Sequence, residues 1–292
     1  MKNFFKSIAK AFVYFAVYFM AQILVMVGYA AVLTVQFMAE AGGAPNPTDT
    51  VELVTMMTVA LMDKLLDITF WSGVFILFIY WIRFAVRKKN FLKEVEIKKI
   101  PKNTILPIVV TGLGLNVIVS VVISSIPWPQ EWMDAYATNS SVIDGSLISV
   151  LTAIVMAPVL EEIVFRGLIY TRLKKGMPAI VAASIASIIF GLCHGTAIWI
   201  IYTTFLGLVM NWVFVKHGSL TASILFHFSF NLMGIILSLI PESMSFVVWI
   251  LLVAGVVGVA YGVKQMMEFA PITEEVVELI DETEEIAEEI CE

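Results

Sequence analysis

Three groups of polar residues interrupt apolar stretches in the second half of the sequence. They are Glu161 and Glu162 with Arg166, His194 four residues after Phe190, and His227 with Asn231. Ionisable side chains are costly inside an apolar segment that crosses a membrane, and such residues usually have a function. The three groups are therefore candidates for a functional site. Ion pairs, buried histidines and hydrogen bonds between helices are the structural alternatives.

Glu162 and Arg166 are four residues apart, so an α-helix would place them on one face, with the glutamate in the favoured N-terminal position. This spacing predicts an ion pair. Glu161 lies about 100° further round the helix, so its carboxylate is predicted to have a different environment from that of Glu162. Two carboxylates in different environments usually have different roles. An ion-pair network without catalysis is the alternative.

His194 is predicted to lie at nearly the same depth in the membrane as Glu161. Glu161 comes 13 residues before Lys174, and His194 comes 16 residues after Pro178, on the two sides of a predicted inner turn. At about 1.5 Å per residue, these are depths of roughly 20 and 24 Å along two antiparallel helices. The matching depth favours a shared site over a histidine that only packs in the core.

His227 and Asn231 are also four residues apart and share one helix face. Both side chains can donate hydrogen bonds, and both lie in the inner half of a predicted span, as the other candidates do. Without the other two groups, hydrogen bonding between helices would be the better interpretation, because His and Asn commonly have that role in membranes.

The composition indicates which elements must hold these residues. The chain has 292 residues, of which 60% are hydrophobic and 14% charged, and its mean hydropathy is +0.92. A soluble domain carries about 25% charged residues, so an ordinary soluble enzyme and a disordered protein are both excluded. The net charge of −6 argues against a nucleic-acid binder. The two cysteines, Cys193 and Cys291, provide no disulfide framework. We therefore predict an all-α polytopic membrane helix bundle.

About eight transmembrane helices are expected, since a span needs about 20 apolar residues. The predicted spans are Ala11–Met38, Ile68–Val86, Thr104–Ile126, Ser146–Tyr170, Ala179–Gly195, Ala197–Val215, Leu220–Ile240 and Phe246–Val263. We divide the chain into N-terminal helices 1–3 with their loops (residues 1–145), a core of helices 4–8 with the polar groups (146–263) and an acidic tail (264–292).

The distribution of lysine and arginine predicts the orientation. If the N-terminus is cytoplasmic and the chain crosses eight times, 17 of the 18 Lys and Arg residues fall on the inner side and only Lys64 falls outside. This is the bias that the positive-inside rule describes. Both termini are therefore predicted to be cytoplasmic. The tail carries eleven acidic residues from position 265 onward and is predicted to be a solvated segment.

The three groups resemble the signature motifs of the CPBP family, which comprises type II CAAX prenyl endopeptidases and bacteriocin-processing proteins of the membrane. The matching residues are Glu161-Glu162-x-x-x-Arg166, Phe190-x-x-x-His194 and His227-x-x-x-Asn231, with Gly218-Ser219-Leu220 before the third motif. The resemblance covers about residues 146–240 and implies an intramembrane endopeptidase whose site opens toward the cytoplasm.

By motif position, the resemblance implies that Glu161 is the catalytic glutamate and that His194 is its partner on the hydrolytic water. His227 and Asn231 would stabilise the oxyanion. Glu162 and Arg166, together with Phe190 of the second motif, would support the site.

A zinc ion is the competing account of the same residues. Glu161, His194 and His227 would form a set of two histidines and one glutamate with an open position, as in catalytic zinc sites. The metal-free mechanism is favoured because His227 shares a helix face with Asn231, which is a poor zinc ligand and a good hydrogen-bond donor to an oxyanion.

Two other classes of function also fit an intramembrane cluster of carboxylates and histidines. A proton-coupled transporter would usually show inverted repeats, and none is visible here. A non-catalytic immunity or scaffold protein could share the same fold. For the protease, the expected partners are the lipid bilayer and a membrane-associated peptide, such as a prenylated C-terminal peptide or a leader peptide. The expected location is a cell membrane, most consistent with a prokaryotic plasma membrane.

Overall fold

The structure is a computed structural model that describes residues 2–40, 50–140 and 146–269. These residues are almost entirely helical, and no strand occurs among them. The predicted all-α polytopic fold is confirmed. The acidic tail from residue 270 onward, which includes Cys291, lies outside the described residues.

Eleven helices form the described part of the chain. They are α1 (Lys2–Glu40), α2 (Thr50–Asp63), α3 (Leu65–Val86), α4 (Phe91–Glu94), α5 (Lys102–Ser125), α6 (Gln130–Ser140), α7 (Leu147–Leu173), α8 (Ala179–Leu192), α9 (Ala197–His217), α10 (Leu220–Ser238) and α11 (Phe246–Glu268), with a short 3₁₀ turn at Glu242–Met244.

Each of the eight predicted spans corresponds to one of these helices, but only seven helices of the described chain are long and apolar enough to cross a membrane: α1, α3, α5, α7, α9, α10 and α11. The exception is α8, which has 14 residues and ends at Leu192. Its length of about 21 Å is shorter than a bilayer core of about 30 Å. The predicted end at Gly195 is wrong because Gly195 has a φ of +82°, a conformation that ends helices.

The helices form two compact units, each of which combines segments from both halves of the chain. The first unit contains Met1–Phe91, Trp128–Ala179 and Thr196–Ile198, and the second contains Leu92–Pro127, Ile180–Gly195 and Trp199–Glu292. The division into residues 1–145, 146–263 and 264–292 stays a prediction.

In the first unit, the buried ring of Tyr14 on α1 joins three helices. The hydroxyl of Tyr80 on α3 donates a 2.7 Å hydrogen bond to the Tyr14 carbonyl, and the Phe84 ring stacks on the Tyr14 ring. The guanidinium groups of Arg83 and Arg172 lie 5.2 and 5.8 Å from the centre of the same ring. The beginning of α1 and the C-terminal ends of α3 and α7 therefore lie on the same side of this unit.

In the second unit, glycines bring α5 close to two other helices. A side chain on Gly114 of α5 would place its Cβ 2.5 Å from the carbonyl oxygen of Gly255 on α11. A Cβ on Gly112 would lie 2.6 Å from the Phe226 carbonyl oxygen and 2.8 Å from Ser229 of α10. Small residues at helix crossings allow this backbone approach in membranes. The packing fixes α10, which carries His227 and Asn231.

Polar contacts in the second unit also gather three helix ends on one side. The Ser219 hydroxyl donates to the Lys98 carbonyl at 2.6 Å, and the Leu220 amide donates to the Glu96 carbonyl at 2.8 Å.

The Lys216 ammonium donates to the Met267 carbonyl at 3.1 Å. The loop before α5, the turn between α9 and α10 and the end of α11 therefore share one side. Which side is cytoplasmic stays a prediction.

Candidate functional site

The first motif lies in the middle of α7, and its ion pair is present as predicted. Arg166 Nη1 lies 2.8 Å from Glu162 Oε1, and both side chains are completely buried. Glu161 is only half-buried. The two neighbouring glutamates therefore differ in exposure, which agrees with the separate environments expected from their spacing.

Two π-helical stretches interrupt α7 on either side of this motif. They cover Thr152–Met156 and Ile163–Tyr170, and the glutamates lie in the α-helical segment between them, Ala157–Glu162. Pro158 follows the first stretch. A proline has no N–H and clashes with the carbonyl four residues earlier in an α-helix. The wider turn of the π-helical stretch relieves this clash. π-Helical turns are rare and frequently occur at functional sites.

His194 lies in the turn after α8, although the sequence analysis placed it inside a helix. Its Nδ1 lies 2.8 Å from the carbonyl oxygen of Phe190. A carbonyl oxygen can only accept a hydrogen bond, so in the neutral imidazole the proton is on Nδ1, and Nε2 is the nitrogen that can accept a proton. Cys193 beside it is exposed.

The buried ring of Phe190 brings the second and third motifs together within the second unit. It makes an edge contact with His194, with ring centres 4.8 Å apart, and another with His227, at 6.1 Å. The His194 imidazole also stacks on the ring of Trp199 in α9, with ring centres 5.8 Å apart and 21° between the ring planes. His194 is therefore held by two aromatic rings and one backbone hydrogen bond.

His227 and Asn231 lie one turn apart on α10, which begins at Leu220 after the capping residue Ser219. His227 is buried and Asn231 is half-buried. α5 packs on the neighbouring face of α10, at Phe226 and Ser229. The two donors predicted for the oxyanion are thus fixed on a helix whose position is set by close packing.

The predicted site residues are divided between the two compact units. The first unit contains Glu161, Glu162 and Arg166, and the second contains Phe190, His194, His227 and Asn231. Within each unit the predicted neighbours are together. The equal depth of Glu161 and His194 stays a prediction.

A metal site requires several His, Cys, Asp or Glu side chains that lie close together. In residues 2–40, 50–140 and 146–269, no group of three or more His, Cys, Asp and Glu side chains is arranged so that it could hold a metal ion. The zinc set of Glu161, His194 and His227 stays a prediction, and the mechanism proposed below uses no metal.

Trp199 and Asn211 are two residues near the motifs that the sequence analysis missed. Trp199 stacks on His194, and Asn211 is a nearly buried amide in the middle of α9. A signal for Asn211 was available in the sequence, because an amide inside an apolar span usually has a polar partner. Trp199 had no such signal, since tryptophan is common near the ends of membrane helices.

Comparison with known families agrees with the motifs. The family model for type II CAAX prenyl endopeptidase Rce1-like proteins matches residues 143–233, a region that includes all three motifs. None of the curated proteins and none of the solved structures is significantly similar to the chain. Residues 143–233 of the chain are therefore similar to type II CAAX prenyl endopeptidase Rce1-like proteins.

Proposed function

We propose that the protein is an intramembrane endopeptidase that hydrolyses a peptide bond of a membrane-associated peptide, with a water molecule activated by Glu161 and His194. The observation that carries this proposal is the contact of the Phe190 ring with both His194 and His227, inside the region that matches an endopeptidase family. If these histidines only formed hydrogen bonds between helices, there would be no need for both of them to contact one aromatic ring.

The tautomer of His194 defines its part in the reaction. Because Nδ1 donates to the Phe190 carbonyl, Nε2 accepts a hydrogen bond from the water. The other hydrogen of the same water is directed to the carboxylate of Glu161. The oxygen lone pair of the water is then directed at the carbonyl carbon of the substrate.

The hydrolysis proceeds in two steps. Glu161 takes a proton from the water while the water oxygen bonds to the carbonyl carbon, which gives a tetrahedral oxyanion. Glu161 then delivers this proton to the amide nitrogen, the C–N bond breaks, and an amine and a carboxylic acid result. General acid–base catalysis of this kind contributes about 10²–10⁴-fold.

Asn231 and His227 stabilise the oxyanion in this proposal. The Asn231 amide and an imidazole N–H of His227 are hydrogen-bond donors, and both are on one face of α10. Donors that are fixed before the reaction are worth about 2.7–4 kcal/mol each in mutational measurements. The close packing of α10 on α5 supports this role because it limits movement of the donors.

The buried Glu162–Arg166 pair has a structural role. Two opposite charges at 2.8 Å compensate each other in a region without water, whereas one alone would be very costly there. The pair fixes the segment of α7 that also carries Glu161, and it leaves the carboxylate of Glu161 as the base.

The cytoplasmic side is the proposed access route of the substrate. The lysine and arginine distribution supports a cytoplasmic N-terminus and a cytoplasmic loop from Arg83 to Lys102. The substrate class that we propose is a prenylated C-terminal peptide or a leader peptide, because the matched family is named for CAAX prenyl endopeptidases.

The variant Glu161→Gln tests the mechanism. It keeps the shape and hydrogen bonding of the side chain while removing its basicity. We expect it to melt like the wild type in detergent and to lose about 10²–10⁴-fold in cleavage of a reconstituted membrane peptide. The double variant Glu161→Gln/His194→Ala should lose little more than either single variant, because groups that act as one unit are not additive. Near-normal cleavage by purified Glu161→Gln protein would contradict the proposal.

A further inference from the structure

A second cluster of polar side chains lies in the interior of the second unit. It consists of Ser187 on α8, Asn211 on α9 and Ser223 on α10, which are 0%, 2% and 0% exposed. None of the three belongs to a motif. A cluster of three polar residues that is buried among apolar helices needs an explanation, because buried polar groups are normally hydrogen-bonded.

The Asn211 amide nitrogen uses both of its hydrogens within this cluster. It donates to the Ser187 hydroxyl at 3.1 Å and to the Gly207 carbonyl at 3.0 Å. The Gly207 carbonyl can only accept, so the orientation of the amide is determined. The Ser223 hydroxyl donates to the carbonyl of Met210 at 3.2 Å, which ties α10 to the same part of α9.

Two polar groups of the cluster have no hydrogen-bond partner within it, and one is an acceptor while the other is a donor. In the part of the chain that the structure describes, no donor reaches Asn211 Oδ1. The Ser187 oxygen accepts the bond from Asn211, and its own O–H donates to no acceptor among the described residues. A buried acceptor and a buried donor without partners each destabilise the folded protein, because both lose the hydrogen bonds that they make to water in the unfolded chain.

One water molecule is the ligand that satisfies both. Such a water would accept from the Ser187 hydroxyl and donate to Asn211 Oδ1, and buried waters typically make two to four such bonds. The cluster consists of neutral side chains, so it offers no charge to compensate an ion. Water therefore fits the site better than a metal cation or an anion does.

The position of the cluster connects it to the candidate active site. Ser187 precedes Phe190 by three residues on α8, and Ser223 precedes His227 by four residues on α10. The cluster thus lies one helical turn, about 5.4 Å along each axis, from the contact between Phe190 and His227. Hydrolysis consumes one water for each bond cleaved, and lipid excludes water from the surroundings.

We propose that Ser187 and Asn211 bind one buried water molecule, and that this water is the reserve from which the hydrolytic water is replaced. The binding of water depends on this cluster alone. The role as a reserve rests on the proposed function.

X-ray radiolytic footprinting of the full-length protein in detergent tests the binding. Radiolysis of a bound water produces hydroxyl radicals at the site, and these oxidise nearby methionines even when bulk solvent does not reach them. Met210 is 0% exposed and adjacent to Asn211, and Met266 on α11 is an equally buried control. We expect oxidation of Met210 to be severalfold faster than that of Met266 in the wild type.

Two variants make this measurement specific. Asn211→Leu removes the acceptor at similar size, and Ser187→Ala removes the hydroxyl with a smaller effect on packing. Each should reduce oxidation of Met210 to the rate of Met266. Equal oxidation of the two methionines in the wild type, or an unchanged rate at Met210 in folded Ser187→Ala protein, would overturn the water site.

Peptide cleavage tests the role as a reserve separately. If the water supplies the reaction, Ser187→Ala should lower kcat severalfold and leave KM unchanged. A lower melting temperature with unchanged kcat would show that the water is only structural. If the wild type binds the water but cleaves no peptide, the proposed function fails while the water site stands.

Discussion

The imidazole of His194 is bonded to the backbone of Phe190, whose ring in turn contacts His227. Two different parts of one residue thus act on two histidines. The carbonyl fixes the tautomer of His194, and the ring fixes the plane of both imidazoles. A substitution of the Phe190 side chain removes the second effect and leaves the first intact.

Replacement of Phe190 by leucine should therefore reduce the rate and not the binding of substrate. The backbone carbonyl remains, so His194 keeps its tautomer, but both imidazoles lose a flat contact surface. A displacement of about 1 Å in a catalytic group can cost about 10²-fold. We expect kcat to fall by up to about that factor with an unchanged KM, measured by steady-state cleavage of a reconstituted peptide.

Phe205 on α9 provides the matched control, since its side chain is 52% exposed. In the described part of the chain, its ring does not contact His194 or His227. Phe205→Leu should leave kcat and KM as they are. If Phe190→Leu raises KM and keeps kcat, the ring binds substrate and does not position the histidines.

The variant Arg166→Ala should destabilise the protein strongly. It leaves the completely buried carboxylate of Glu162 without its guanidinium, and breaking a buried pair costs about 3–5 kcal/mol. The double variant Glu162→Gln/Arg166→Met should recover much of the loss because no charge is left. The measurement is the melting temperature of purified protein in one detergent.

The exposed pair Lys64–Asp67 serves as the control for this comparison. Its atoms are 3.5 Å apart, and its side chains are 52% and 28% exposed. Such surface pairs contribute about 0–1 kcal/mol, so Lys64→Ala should change the melting temperature little. Normal stability of Arg166→Ala would show that Glu162 is not held by the arginine.

Features that depend on local spacing could be predicted from the sequence. Apolar length indicated the positions of eight helices, although it did not indicate the short apolar helix α2. The four-residue spacing of Glu162 and Arg166 predicted their ion pair. Both follow from the repeat of a single helix. The grouping of Phe190 with His194 also follows from a four-residue interval, although it lies at a helix end.

Features that depend on several helices could not be predicted in this way. The contact of Phe190 with His227 joins residues 37 positions apart, and the position of Asn211 beside Ser187 is fixed by packing at Gly207. The turn at His194 had a local signal in Gly195, but the apolar pattern continues through it into α9 and concealed the end of α8. The π-helical stretches change the hydrogen bonding without changing the hydrophobic pattern, so apolar periodicity gives no sign of them. Pro158 was a local signal for the first stretch only.

The proposed orientation can be measured by labelling single cysteines in intact cells. The background variant carries Cys193→Ser and Cys291→Ser, and the test positions are the exposed residues Lys93 and Glu131. If the loop around Lys93 is cytoplasmic, a membrane-impermeant thiol reagent should label Glu131→Cys and not Lys93→Cys until the cells are opened. The reverse pattern would mean that the lysine and arginine bias does not set the orientation.

Two glycines of the spans should respond in opposite ways to alanine. A methyl group on Gly114 would lie 2.5 Å from the Gly255 carbonyl oxygen of α11. Around Gly28 of α1, by contrast, no atom of the described residues beyond the adjoining helix backbone lies within 4 Å of the Cβ position. Gly114→Ala must force α5 and α11 apart, and overpacking typically costs about 1–3 kcal/mol. Gly28→Ala should be neutral or stabilise the helix by up to about 1 kcal/mol. The melting temperatures of both variants are measured in the same detergent. That of Gly114→Ala should lie below the wild-type value, and that of Gly28→Ala should equal or exceed it. A Gly114→Ala protein as stable as the wild type would mean that α5 and α11 are not in backbone contact at Gly114 and Gly255.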